Sequence, residues 1–465
     1  MPRSGHDGEM TARLLEPLLD EQRLGPVQMA VVGLCVLAML IDGYDMFMFG
    51  IALPVIAKAF AVPPAKLTSV IVAQGIGLVL GSVAAGPLSD RAGRKPVLVG
   101  CVVLFGLLTL ATAAVRTLAE LVALRFAAAL FFSGVVPNAI ALAAEMAPAR
   151  YRSGLISVVF CGFPGGTALG GLVNGALLAV HPWPIIFVVG GIVPLCLAVP
   201  FMLFLPESLR FRARRDPGDP RIAQLLRRMN PSVALRPTER FVLEEDRAPR
   251  STRSPVGDLF AANRRALSLI LWLFFLSSLG VITTIAAWSS TIWSAGVGLP
   301  IAQVGVLVGV FSIAGLAGTG TSGFIMDRIG AGRTMFTSYA ACAVFMLGLA
   351  VADYHSPVVY VLLAAVGYTI NSAQSALNAF SSIAYPTRMR VTGVGWAFGA
   401  GRVGGILGPL AGGSLIARTA GAQAFFLALS VPLLVVAALV PAAMKAYRTA
   451  SAEAPVQGDS ASRPV

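Results

Sequence analysis

Apolar residues run in blocks of about twenty along almost the whole chain, and short polar stretches separate the blocks. A block of that length crosses a bilayer as one helix, at a rise of about 1.5 Å per residue. The pattern predicts twelve spans, at 27–50, 67–88, 96–115, 118–146, 153–179, 184–205, 265–289, 301–325, 333–352, 357–385, 390–417 and 421–444. A long polar stretch, 206–264, separates the sixth from the seventh. The expected fold is an all-α membrane protein with twelve transmembrane helices in two six-helix bundles, 27–205 and 265–445. A cytoplasmic central loop at 206–264 joins the bundles, and tails at 1–26 and 446–465 flank them.

Composition supports this. The chain is 56% hydrophobic and 12% charged, with mean hydropathy +0.79. A soluble protein of 465 residues needs more polar surface to cover its core. The net charge of +13 raises nucleic acid as a partner, but the distribution argues against it. Basic residues gather in alternate loops, at Arg91/Arg94/Lys95, Arg150/Arg152, Arg328/Arg333 and Arg388/Arg390. The other loops hold little beyond Lys58, Lys66, Arg116 and Arg418. The positive-inside rule then puts both termini in the cytoplasm. The first 25 residues are polar and lack the apolar core of a signal peptide, which fits a cytoplasmic tail. The central loop's arginines are able to touch anionic lipid; a solvated linker that fixes topology is the favoured reading.

Five scattered cysteines without CxxC spacing read as small core residues. His6, His181 and His355 fall in a tail and outer loops, so no metal site is expected. GAGRVG (399–404) fits a dinucleotide fingerprint in letters only, because no strand precedes it. No P-loop motif is present, so neither ATP drive nor another cofactor is expected.

The halves repeat each other. GPLSDRAGR (86–94) returns as GFIMDRIGAGR (323–333), so Asp90 and Arg91 match Asp327 and Arg328. APARYRSG (147–154) returns as YPTRMRVTG (385–393), matching Arg150 and Arg152 to Arg388 and Arg390. Duplicated halves are a transporter architecture, with the substrate near mid-membrane.

GPLSDRAGRK resembles the loop signature of the major facilitator superfamily. DGYD (42–45), PNAIALAAEMAPARYRSG (137–154) and NSAQSALNAFSSIAYPTRMRVTGVGWAFGAGRVGGILGP (371–409) resemble, more narrowly, the aromatic acid:proton symporters. The resemblance runs from about residue 18 to 445. It implies uptake of a small aromatic carboxylate, such as a hydroxybenzoate, with protons across a bacterial inner membrane, by a functional monomer. Two segments depart from the family: FAAALFFSG after Arg125 places Phe131 and Phe132 where small residues are usual, and AWSSTIW closes span seven. A carrier of muconate or another non-aromatic acid, and an antiporter exporting acids or drugs, remain as alternatives.

Asp42 and Asp45 sit i,i+3 in an apolar helix and share a face. Each charged Asp at the bilayer centre costs about 2.5–3.5 kcal/mol. Two such carboxylates do not both ionise easily, so one is suited to take up a proton. The resemblance gives this pair the coupling role. Arg125 in span four and Arg402 in span eleven are buried cations able to grip a carboxylate bidentately. Arg402 is the better candidate for substrate; the resemblance places Arg125 with proton transfer, beside Asp42 or Asp45. Asn138, Asn371, Gln374 and Asn378 are amides that either bind substrate or join helices. Tyr44, Phe47, Trp288 and Trp396 are candidates for ring contact against the plainer role of packing. Glu145 with Asp90, Arg91, Arg94, Arg150, Arg152, Asp327, Arg328 and Arg388 is expected to form an inner gate; helix-end ion pairs are the simpler alternative.

Overall fold

The computed structural model describes residues 12–20, 24–230, 235, 239–243, 264–385, 390–419 and 421–452. The chain opens with strand β1 (Ala12–Leu14) and helix α1 (Leu15–Asp20). Long helices follow: α2 (Pro26–Ala59), α3 (Thr68–Ala92), α4 (Arg94–Thr112), α5 (Leu118–Phe132), α6 (Val135–Met146), α7 (Ala149–Val180) and α8 (Pro184–Phe204). The central loop carries α9 (Leu209–Arg215), α10 (Pro220–Met229) and β2 (Arg240–Val242). The second half holds α11 (Arg265–Thr291), α12 (Ile301–Ile329), α13 (Ala331–Val351), α14 (Val358–Ala384), α15 (Arg390–Thr419) and α16 (Ala422–Ala452).

Among the described residues, eleven helical segments are long and apolar enough to cross a membrane. The span expected at 390–417 is the 30-residue helix α15, whose Arg402 and many glycines lower its hydropathy. The span expected at 118–146 is two helices, α5 and α6. The break falls at Ser133–Gly134, where the Gly134 N–H turns back to the Phe131 carbonyl at 3.2 Å. Pro137, one turn later, has no N–H to offer the Ser133 carbonyl, which weakens the helix at the break.

The duplicated motif has the same local geometry in both halves. Asp90 and Arg91 lie exposed in the last turn of α3, and Asp327 and Arg328 in that of α12. Each helix ends at a glycine with positive φ, 100° at Gly93 and 86° at Gly330. Only glycine enters that region without strain, which accounts for DRAG and DRIG ending alike.

Packing sorts the chain into two units. The first comprises Met1–Ser251 with Ile285–Leu316 and Pro409–Ala422. The second comprises Thr252–Thr284, Ala317–Gly408 and Gln423–Val465.

At one end of the first unit the N-terminal segment and the central loop fold together. β1 pairs in parallel with β2, Ala12 opposite Arg240 and Leu14 opposite Val242. Leu15, Leu18 and Leu19 are buried in the same apolar cluster as Leu209, Ala213, Ile222, Leu226, Met229 and Phe241. Arg13–Glu239 at 3.5 Å and Arg152–Asp20 at 3.7 Å lie at its edge. The expectation of a solvated linker therefore fails for the described part of 206–264, and 12–20 is more than a tail. The apolar residues of α9 and α10 fall on one face at helical spacing and use the N-terminal leucines as their cover.

At the other end of this unit, segments 285–316 and 409–422 pack on α2, α3 and α7. Phe47 and Phe311 are in ring contact at 6.2 Å. Gly175 and Gly305 meet backbone to backbone, since a Cβ on Gly175 would stand 2.6 Å from the Gly305 Cα.

Candidate functional site

Asp45 lies midway along α2 and is 5% exposed; Arg125, on α5, is 0% exposed. The Arg125 Nη2 donates to both Asp45 oxygens, at 2.8 and 2.9 Å. Gln74 of α3 adds a longer bond from Nε2 to Oδ2, at 3.4 Å. The guanidinium also lies 5.9 Å from the Phe49 ring and 5.7 Å from that of Phe187. Its Nε and Nη1 are buried and have no protein partner. A charged pair removed from water is held here by geometry and ring faces, with donor capacity left over. Asp42 is half-buried on the same helix.

Tyr44, between the two carboxylates, turns to α7, where its hydroxyl donates to Asn174 Oδ1 at 2.7 Å. Phe47 is buried against Phe311. Trp288 is fully buried and its indole N–H donates to the Pro409 carbonyl at 2.8 Å. Asn138 donates to the Gly134 carbonyl of its own helix region at 2.7 Å.

The second unit holds the other sequence-derived candidates. Arg402 is half-buried on α15. On α14, Asn371 donates back to the Gly367 carbonyl at 2.9 Å, and Gln374 Nε2 donates to Asn378 Oδ1 at 2.9 Å. Gln374 Oε1 is buried without a partner. Trp396 is exposed on one side and stacks on Trp272, with centroids 5.6 Å apart and planes 14° apart.

The expected gate is assembled only in part. Arg94 and Glu145 form an ion pair at 2.8 Å, and the Ser208 hydroxyl donates to the same carboxylate. Glu207 accepts from the backbone N–H of Arg94 at 2.9 Å and of Lys95 at 3.2 Å. The start of α9 thus ties the α3–α4 turn to the end of α6. Arg152 donates to the Ala144 carbonyl at 3.1 Å. Arg150 lies 4.7 Å from the Tyr151 ring, and Arg328 4.1 Å from that of Phe324. Asp90 and Arg91 are exposed and stand outside the Glu145 cluster, and Asp327 is exposed in the last turn of α12. Arg388 lies outside the described residues.

Gln74, Asn174, Glu207 and Ser208 were not singled out from sequence. Gln74 and Asn174 carry the signal that marked Asn138, an amide inside an apolar run. Glu207 and Ser208 sit in a polar loop and carry none.

Buried opposite charges inside membrane helices, with a charge cluster where those helices end, define a polytopic secondary transporter. The major facilitator superfamily model matches residues 35–409 and 270–463, and the chain belongs to that family. It is a multi-pass membrane transporter, not an enzyme. The gallate transporter of Pseudomonas putida is 34% identical over 414 residues, 89% of this chain and 91% of its own length. The 4-hydroxybenzoate transporter PcaK of Pseudomonas aeruginosa is 34% identical over 405 residues, 86% and 89% of the two chains. Among solved structures, the partially occluded inward-open xylose transporter XylE of E. coli superposes with a TM-score of 0.71 at 15% identity, covering 89% of this chain and 97% of its own. That likeness concerns the fold alone.

Proposed function

We propose that this protein takes up a small aromatic carboxylate of the hydroxybenzoate type by proton symport across a bacterial inner membrane, as a functional monomer with both termini cytoplasmic. The observation that carries the reading is the buried Asp45–Arg125 pair, with two guanidinium nitrogens in reserve. A proton on Asp45 removes the counter-charge of Arg125. A lone buried cation is costly, so the proton's arrival favours an arriving anion, and substrate and proton move together. Arg402 is the first choice for gripping the substrate carboxylate, and Arg125, once Asp45 is protonated, supplies a further positive charge that draws the anion in. The names of the relatives, gallate and 4-hydroxybenzoate transporters, support an aromatic acid as cargo.

With a cytoplasmic N-terminus, the end closed by 285–316 and 409–422 is the outer one. Release of the substrate inward then requires the Arg94–Glu145–Ser208 cluster to loosen. The test is uptake of labelled hydroxybenzoates and dicarboxylates into proteoliposomes, with and without an inward proton gradient. Gradient-driven accumulation of the aromatic acids is the expected result. Accumulation that ignores the gradient, or movement outward against it, sinks the symport reading.

A further inference from the structure

Tyr44 precedes Asp45 by one residue but serves a different neighbour. Gly166 and Gly170 bring α7 onto the α2 backbone: a Cβ on Gly166 would stand 2.0 Å from the Leu40 carbonyl oxygen. One turn beyond Gly170, Asn174 is 0% exposed. Its Oδ1 accepts from the Tyr44 hydroxyl, and no protein group pairs with its Nδ2. Exchanging the amide oxygen and nitrogen does not mend this, because the tyrosine meets one end of the amide only. In a lipid-embedded helix such a group lacks the partner that water gives elsewhere.

The Tyr44 hydroxyl, having given its proton to Asn174, keeps lone pairs on its oxygen. Side by side, the pair therefore offers a donor, Asn174 Nδ2–H, and an acceptor, Tyr44 Oη. A phenolic hydroxyl accepts and donates through one oxygen, so it is the complement of this arrangement. A carboxylate is not, since it cannot donate.

We infer that Asn174, together with Tyr44, reads a ring hydroxyl of the substrate and makes the carrier selective for phenolic over unsubstituted aromatic carboxylates. The inference rests on the proposed transport of aromatic acids. A site built to hydrogen-bond a hydroxyl discriminates strongly against the analogue lacking it, whereas a purely apolar pocket discriminates weakly.

The experiment compares uptake of benzoate, 4-hydroxybenzoate and 3,4,5-trihydroxybenzoate by wild type, Asn174→Leu and Tyr44→Phe in proteoliposomes. The expected result is a fall of about tenfold or more in the hydroxylated-to-unsubstituted ratio of kcat/KM for Asn174→Leu, carried by KM. Tyr44→Phe moves the ratio the same way and carries the test if Asn174→Leu fails to fold. An unchanged ratio, or a parallel fall for all three acids, makes the pair helix glue and overturns the inference. A wild type that carries none of the acids removes the proposed cargo first, and the inference with it.

Discussion

Arg125 meets Asp45 at two points through a single nitrogen, Nη2, at 2.8 and 2.9 Å from the carboxylate oxygens. Its other two nitrogens, Nε and Nη1, have no protein partner. The pair is thus closed toward Asp45 and open toward an incoming acceptor. Asp45→Asn keeps the shape of the side chain and removes its charge, imitating the protonated carrier. Gradient-driven accumulation is expected to fall to background while exchange of preloaded substrate persists. Accumulation at the wild-type level in the Asn variant shows that coupling lies elsewhere. Arg125→Ala leaves Asp45 buried without its counter-charge and is expected to cost about 3–5 kcal/mol of stability, read as a lower unfolding temperature in detergent.

The contact between Gly175 and Gly305 has no flexible side chain to yield, since a Cβ at Gly175 would meet Gly305 Cα at 2.6 Å. Gly175→Leu is expected to part α7 from α12 at this end and to slow uptake at least tenfold, by analogy with small-residue helix contacts. A cysteine replacing the buried Val308 reports the parting through faster reaction with an impermeant thiol reagent. Gly165→Ala is the control, because a Cβ there has nothing within 4 Å. Equal reactivity in the two variants counts against this closure.

The spans were legible because each needs only a local run of apolar residues, and the duplication because DRAG and DRIG keep both charge and glycine. The Asp45–Arg125 pair was legible as two charges that lipid does not tolerate alone, though the choice of Asp45 over Asp42 needed the reach of the Arg125 side chain from α5. The packing of 12–20 against 209–230 and 239–243 was not legible. α9 and α10 carry apolar residues at helical spacing, but the cover for that face, Leu15, Leu18 and Leu19, lies about two hundred residues earlier, beyond any local pattern. Ser208 reaches Glu145 across 63 residues and Glu207 reaches the Arg94 amide across 113, separations that no local pattern encodes.

That folded end predicts a stability effect far from the transport pathway. Leu18 is buried in the apolar cluster. Leu18→Ala is expected to cost about 2–5 kcal/mol, as for large-to-small changes in a core, and to lower the unfolding temperature in detergent. Arg215→Ala, at the exposed end of α9, is the comparison and should shift it little. A Leu18 variant as stable as the parent means that 12–20 does not hold this end together.

Asp219 supplies a pH dependence with a definite sign. It precedes α10, accepts from the Arg221 N–H at 2.9 Å and pairs with Arg212 at 2.8 Å. Partial burial pushes its carboxyl up, but the Arg221 N–H and the Arg212 guanidinium outweigh this and hold it below the ordinary value of 3.8. A carboxyl lowered on folding stabilises the folded form above its unfolded value, and that contribution is lost as pH falls through the lower folded value. Asp219→Asn still caps the helix but carries no charge. Amide exchange across 220–229 in the full chain is therefore expected to be faster in the Asn variant. The difference should stay constant from pH 7 to pH 5 and shrink only below about pH 4. A difference that persists unchanged to pH 3 makes the interaction independent of charge. One that closes already near pH 6 assigns it to another group.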